Sequence, residues 1–201
     1  MRFSFALSLM LILASLLFAQ QNGNASKSQA TPRISADQVQ QANDLIHRQF
    51  GDGFMLVADA EPPMLTGDFD GDGIEDVAFV ASSKKLPHVE TAAGYHMIDP
   101  YDDFFGFTNP LVTIRFNGTD PDRARYLLIV HGSGPDAWRS SSPKSKYVII
   151  NLPFDSLEVT EFRWKKKKKP IVGIEATETA TLSAMLFWDG KKYRWEPTGI
   201  D

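Results

Sequence analysis

Apolar residues recur along this chain with two periods, and the change from one to the other divides it. Across 36–50 the apolar positions Val39, Ala42, Ile46 and Phe50 fall three or four residues apart, which lines them along one face of an α-helix. Both helix ends are marked. Ser35 with Gln38 three residues on forms a capping box, Ile34 can pack on Val39 as a hydrophobic staple, and Gly51 supplies the stop. His47 lies beside the apolar face and reads as packing or solvated surface rather than as a ligand. Beyond Gly53 the helical period is gone. Short runs rich in β-branched and aromatic residues, bounded by Gly, Pro, Asn or Asp, predict strands over 54–57, 64–67, 77–81, 111–116, 126–131, 147–151, 157–164, 171–176, 182–188 and 192–195. Asp189-Gly190 predicts a hairpin with a type I′ turn, because both central positions of that turn need positive φ. Asn117-Gly118 marks a second turn.

One helix followed by many short strands predicts an α+β fold, mostly β: an antiparallel sheet or half-open barrel with the N-terminal helix packed on it. A single domain over 34–201 is expected. Two segments precede it. Arg2, the nearly unbroken apolar run 3–18 and the small Ala19 resemble a secretory signal peptide over 1–19, the run being short for a membrane span of about 20 residues. Retention of that segment as an anchor is the alternative; no other stretch can cross a bilayer, so no membrane span is expected after cleavage. Residues 20–33 are polar without an apolar period and read as a flexible tether.

Composition narrows the class. With 43% hydrophobic and 11% aromatic residues in 201, the chain can bury one ordinary core and is neither disordered nor fibrous. Cysteine is absent, which excludes disulfides, thiolate metal sites and a cysteine nucleophile. Export without disulfides points to a bacterial periplasm or exterior. The net charge is −4, and loss of Arg2 with the signal leaves 20 basic residues against 25 acidic ones, or −5. That balance gives no support to nucleic-acid binding.

The most specific chemistry lies in Asp68-Phe69-Asp70-Gly71-Asp72-Gly73-Ile74-Glu75-Asp76. Carboxylates this close repel by roughly 3 kcal/mol per pair at about 5 Å and an effective dielectric near 20, so a folded loop of this composition needs a cation. Calcium fits best, since it accepts six to eight oxygens in flexible geometry. Asp68, Asp70 and Asp72 are expected to give side-chain oxygens. Gly71 and Gly73 allow the chain to coil and bring the Ile74 carbonyl and the Asp76 carboxylate to the same ion. An EF-hand is excluded, because its twelfth position, here Phe79, must be a bidentate Glu and because a β-rich run follows instead of a helix.

Residues 67–80 resemble the calcium-binding segment of FG-GAP/VCBS repeats, found in integrin-type β-propellers and many secreted bacterial proteins. The resemblance implies Asp68, Asp70, Asp72, Ile74 and Asp76 as the calcium ligands. It occurs in one copy, whereas a propeller needs several at a fixed period, so a full β-propeller is not implied.

Other features are weaker. Segment 84–110 is the least regular part and reads as a binding loop, with Tyr95, Tyr101, Phe104, Phe105 and Phe107 able to contact a partner or simply to pack the loop down; its His88, Glu90, His96, Asp99, Asp102 and Asp103 show no recognised ligand spacing. His131-Gly132-Ser133-Gly134 is similar to the oxyanion-hole turn of α/β-hydrolases, but the G-x-S-x-G elbow and the βαβ alternation are missing. The lysines at 165–169 read as a solvated loop tip, with Glu175 and Glu178 able to pair with them. The expectation is a secreted or periplasmic calcium-binding domain without enzymatic activity, acting on a protein or cell-envelope partner. A periplasmic inhibitor of a lysozyme-type glycosidase and a cell-envelope hydrolase are the alternatives.

Overall fold

In the computed structural model residues 34–83, 94–106, 125–164, 169–179 and 182–198 are described, and all of them belong to one compact unit, Thr31–Asp201. Helix α1 (Ala36–Phe50) starts as its sequence dictates. The Ser35 side chain accepts the Gln38 amide, the Gln38 side chain accepts the Ser35 amide, and Gly51 leaves the helix at φ 86°. Leu45, Ile46 and Phe50 are buried on its inner face.

Among the described residues the strands form two sheets. The first has the order β1–β3–β5–β6–β4, from Phe54–Leu56 (β1), Asp76–Ser83 (β3), Arg125–His131 (β5), Ser145–Ile149 (β6) and His96–Ile98 (β4). Met64–Gly67 (β2) shares the outer edge of β3 with β1. Pairings are antiparallel except β4 with β6. The second sheet is a meander of Ser156–Phe162 (β7), Ile171–Thr179 (β8), Leu182–Trp188 (β9) and Tyr193–Thr198 (β10).

Alternation in the central strands sets the layers. Val77, Phe79 and Ala81 of β3 and Tyr126, Leu128 and Val130 of β5 pack in one cluster with Leu45, Ile46 and Phe50 of α1. Their neighbours Ala78, Val80, Leu127 and Ile129 pack in another with Leu157, Ile174, Leu186 and Tyr193 of the second sheet. The first sheet is therefore covered on both faces, by α1 and by the second sheet. This is why β3 and β5 read as unbroken apolar runs rather than as alternating ones. The expected mostly-β α+β fold with an N-terminal helix on a sheet is present, as stacked sheets rather than as a closed barrel.

Some elements differ from expectation. Segment 84–110 holds β4 and a short helix α2 (Pro100–Phe104), too brief for periodicity to reveal. Asp99 caps α2 by accepting the Asp102 amide at 2.9 Å and also accepts from the Asn151 side chain. Strand β6 begins and ends two residues earlier than expected, and β10 runs on through Pro197, tolerated because β10 is an edge strand. The β9–β10 connection is not a two-residue turn: Trp188 pairs with Tyr193, and Asp189 Oδ1 accepts the amides of Lys191 and Lys192 inside a four-residue loop. The expected signal, tether, strand 111–116, turn at Asn117-Gly118 and most of the lysine run lie outside the described residues.

Two outcomes are expected. Phe79 is fully buried and meets Trp138 edge-on, so Phe79→Ala should lower unfolding free energy by about 3–5 kcal/mol in urea denaturation. Burial pushes the Asp99 carboxyl above the ordinary carboxylate range, against the pull of the Asp102 amide and Asn151. The native state thus holds this proton more tightly than the unfolded chain, and stability is lost as pH rises from about 4 through the raised value. Asp99→Asn cannot ionise, so the stability gap between wild type and variant should be wider at pH 4 than at pH 7 in paired urea denaturations.

Candidate metal centre

The acidic segment forms the connection between β2 and β3, closed by the Gly67–Asp76 pair. Gly71 and Gly73 take φ 77° and 87°, and the coil they permit turns backbone amides inward onto the carboxylates. Asp68 Oδ1 accepts the amides of Gly71 (2.9 Å) and Asp72 (3.0 Å), and its Oδ2 accepts Gly73 (2.9 Å). Asp70 Oδ1 accepts the Asp72 amide at 3.2 Å, and Asp72 Oδ1 accepts Ile74 at 2.9 Å.

Asp76 works differently. Its side chain sits on the second-sheet side of β3 at 1% exposure, accepting Phe69 (2.8 Å) and Asp70 (3.3 Å) on Oδ2 and Gly132 (2.8 Å) on Oδ1. One carboxylate thus ties the loop's start to its end and both to the turn after β5. Burial, with the Asp70 charge adding, pushes Asp76 up to about 7 despite those amide donors, the Gly132 amide foremost among them.

That turn makes the second wall. A Cβ on Gly132 would run into the Glu75 carbonyl oxygen and lie 2.8 Å from the Ala137 carbonyl carbon, so only glycine lets the two segments pass. A short 3-10 helix (Ala137–Arg139) follows, where Trp138 Nε1 donates to Glu75 Oε2 at 2.7 Å and the Arg139 guanidinium stacks 3.8 Å over the Trp138 ring. Lys144, at the end of the turn, reaches Asp70 and Asp72 with its ammonium at 2.7 Å from each. This contact holds Asp72 below the usual carboxylate range and Lys144 above the usual lysine range.

Beneath the loop lies His131, 1% exposed, with Nε2 2.6 Å from the Tyr193 hydroxyl and Nδ1 3.0 Å from Ser145 Oγ and 3.3 Å from Asp70 Oδ2. Burial lowers its pKa to about 4, against the attraction of Asp70, so the ring is neutral at pH 7. With one ring proton, the arrangement that serves every group has Tyr193 donating to Nε2 and the Nδ1 proton facing Ser145 and Asp70. Ser133, by contrast, donates its hydroxyl to the Ser142 carbonyl at 2.6 Å, so His131 and Ser133 have separate partners.

Among the described residues two groups of potential ligands result: Asp68, Asp70 and Asp72 at the mouth, and Asp70, Asp76 and His131 beneath them, each with donor atoms within 4.8 Å of one another. The upper group offers oxygen alone, with donor atoms close enough together to hold a metal ion. Of the expected ligands, Asp68, Asp70 and Asp72 are brought together in the upper group and Asp76 joins Asp70 in the lower one, while the Ile74 amide donates to Asp72. His131, Gly132 and Lys144 were not expected. The His-Gly-Ser-Gly motif marked the place, but not that it faces the acidic loop. No such group forms at His96, Asp99, Asp102 and Asp103 among the described residues: Asp99 caps α2, Asp103 pairs with Lys192, and His96 lies against Tyr147.

No family model, curated protein or solved structure matches the chain, so the site is read from its own geometry.

Gly132→Ala should force the acidic loop off the turn and lower stability by about 1–3 kcal/mol, measured by thermal melting. Tyr193→Phe removes the donor to a buried ring nitrogen and should lower stability by about 1–3 kcal/mol, measured by urea denaturation.

Proposed function

We propose that this chain is a calcium-binding domain, exported to the periplasm or beyond, in which the ion fixes the β2–β3 loop of a β scaffold that binds a protein or cell-envelope partner. The observation that carries the reading is the convergence of Asp68, Asp70 and Asp72, all oxygen donors within 4.8 Å, at a loop coiled by two glycines. Asp68, Asp70 and Asp72 would hold the ion, with Asp76 setting the loop on β5 from below. Calcium suits such a site better than magnesium, which demands a tight octahedron and keeps several waters. The ion would supply positive charge that offsets the loop's self-repulsion. The likeness of 67–80 to an FG-GAP/VCBS calcium segment supports the same ion.

A binding role is supported at the far end of the second sheet. Tyr101, Phe104 and Phe105 gather around Trp195, beside a groove of about 420 Å³ that Leu182 and Pro197 also line. Phe104, Phe105 and Leu182 are 47%, 56% and 51% exposed, more than packing alone requires.

Differential scanning calorimetry of the full chain tests the ion. Calcium should raise the melting temperature and magnesium should do much less, with a calcium Kd of about 10⁻⁴ to 10⁻³ M as in extracellular modules. At a hundredfold excess over Kd the stabilisation should reach about 2.7 kcal/mol. Asp72→Ala, on the exposed side of the loop, should abolish the calcium effect. Equal melting in calcium and in chelator would falsify the reading.

A further inference from the structure

The turn that closes over the acidic loop carries a cation of its own. Lys144 Nζ lies 2.7 Å from Asp70 Oδ2 and 2.7 Å from Asp72 Oδ2. These are the two oxygens that the loop's own backbone leaves open, since Asp70 Oδ1 takes the Asp72 amide and Asp72 Oδ1 takes the Ile74 amide. Lys144 comes from another part of the chain, so its contact is separate from the loop's internal hydrogen bonds. Its backbone is anchored, the Lys144 amide donating to the His131 carbonyl at 3.0 Å. The side chain is 49% exposed, so the ammonium can swing into water without moving the strand behind it.

Resting on the calcium reading above, we propose that the Lys144 ammonium is a tethered competitor of the ion, which a dication must displace from Asp70 and Asp72 in order to bind. An ammonium and a dication on the same two oxygens would repel at contact distance, and the Asp70 side chain is only 3% exposed, where water screens that repulsion poorly. The loop then has a cation in either state. Calcium binding is an exchange of one cation for another, and its effect on stability is the difference between the two. Lysine thereby weakens calcium affinity and keeps the loop in shape when calcium is scarce. High salt should narrow the handicap, since the ammonium is half exposed.

The test replaces Lys144 by methionine, which keeps the length of the stem and removes the charge. Calcium chloride is titrated into wild-type and Lys144→Met full-length protein by calorimetry, and both are melted in chelator and in calcium. The variant should melt lower than wild type in chelator, bind calcium about tenfold more tightly, and gain more in melting temperature on adding calcium. A purely structural role for Lys144 would lower stability in both conditions without tightening the binding. Lys144→Gln serves the same comparison should the methionine variant fail to fold, and Lys144→Arg should keep the weaker affinity.

Equal or weaker calcium binding by the uncharged variants, with wild type still binding, overturns the role of Lys144 and leaves the calcium reading intact. Calcium bound by the variants but not by wild type supports the competition and overturns calcium as the wild-type ligand. Absence of calcium binding in every protein overturns both.

Discussion

Negative charge gathered at a β-turn has to be met by donors or cations, and that constraint shapes one whole end of the sandwich. Asp68, Asp70 and Asp72 turn the loop's own amides inward, and Asp76 takes an amide from across the sheet. Partial charges from amides soften the repulsion but leave the full charges in place. The remaining demand falls on the oxygens facing Lys144, and there its ammonium meets it.

The scaffold makes this meeting possible because β3 and β5 are adjacent and antiparallel. Val77 pairs with Val130, so Asp76 at the start of β3 lies beside the end of β5, where Gly132 begins the turn. The acidic loop and the turn leave the sheet at the same end. Trp138 then joins two regions of the molecule: its indole nitrogen binds Glu75 of the loop, while its ring packs on Phe79 in the helix-side cluster. One side chain thus touches both the loop and the core.

Much of this was legible locally. The Ser35–Gln38 box, the strands at Met64–Gly67 and Leu182–Trp188, and an acidic loop between two strands all depend on residues near one another in sequence. The partners of that loop were not legible, because Gly132 and Lys144 lie more than fifty residues from Asp76 and reach it only through the β3–β5 pairing. Neither residue carries a local signal: a glycine in a Gly-rich turn looks like turn chemistry, and a lysine near serines looks like surface. The layering was hidden for a related reason. Strands buried on both faces lose the alternation that would show which side meets the helix. Strand β4 and helix α2 escaped because they lie in segment 84–110, where Gly94, Pro100 and Gly106 interrupt any regular pattern.

The most direct measurement is a high-resolution crystal structure of the protein grown in calcium, with an anomalous difference map. One peak should appear among the carboxylates of Asp68, Asp70 and Asp72, coordinated by oxygen at 2.3–2.6 Å, with the Lys144 ammonium turned away. A map without that peak, with the ammonium still bridging Asp70 and Asp72 at saturating calcium, would contradict the account.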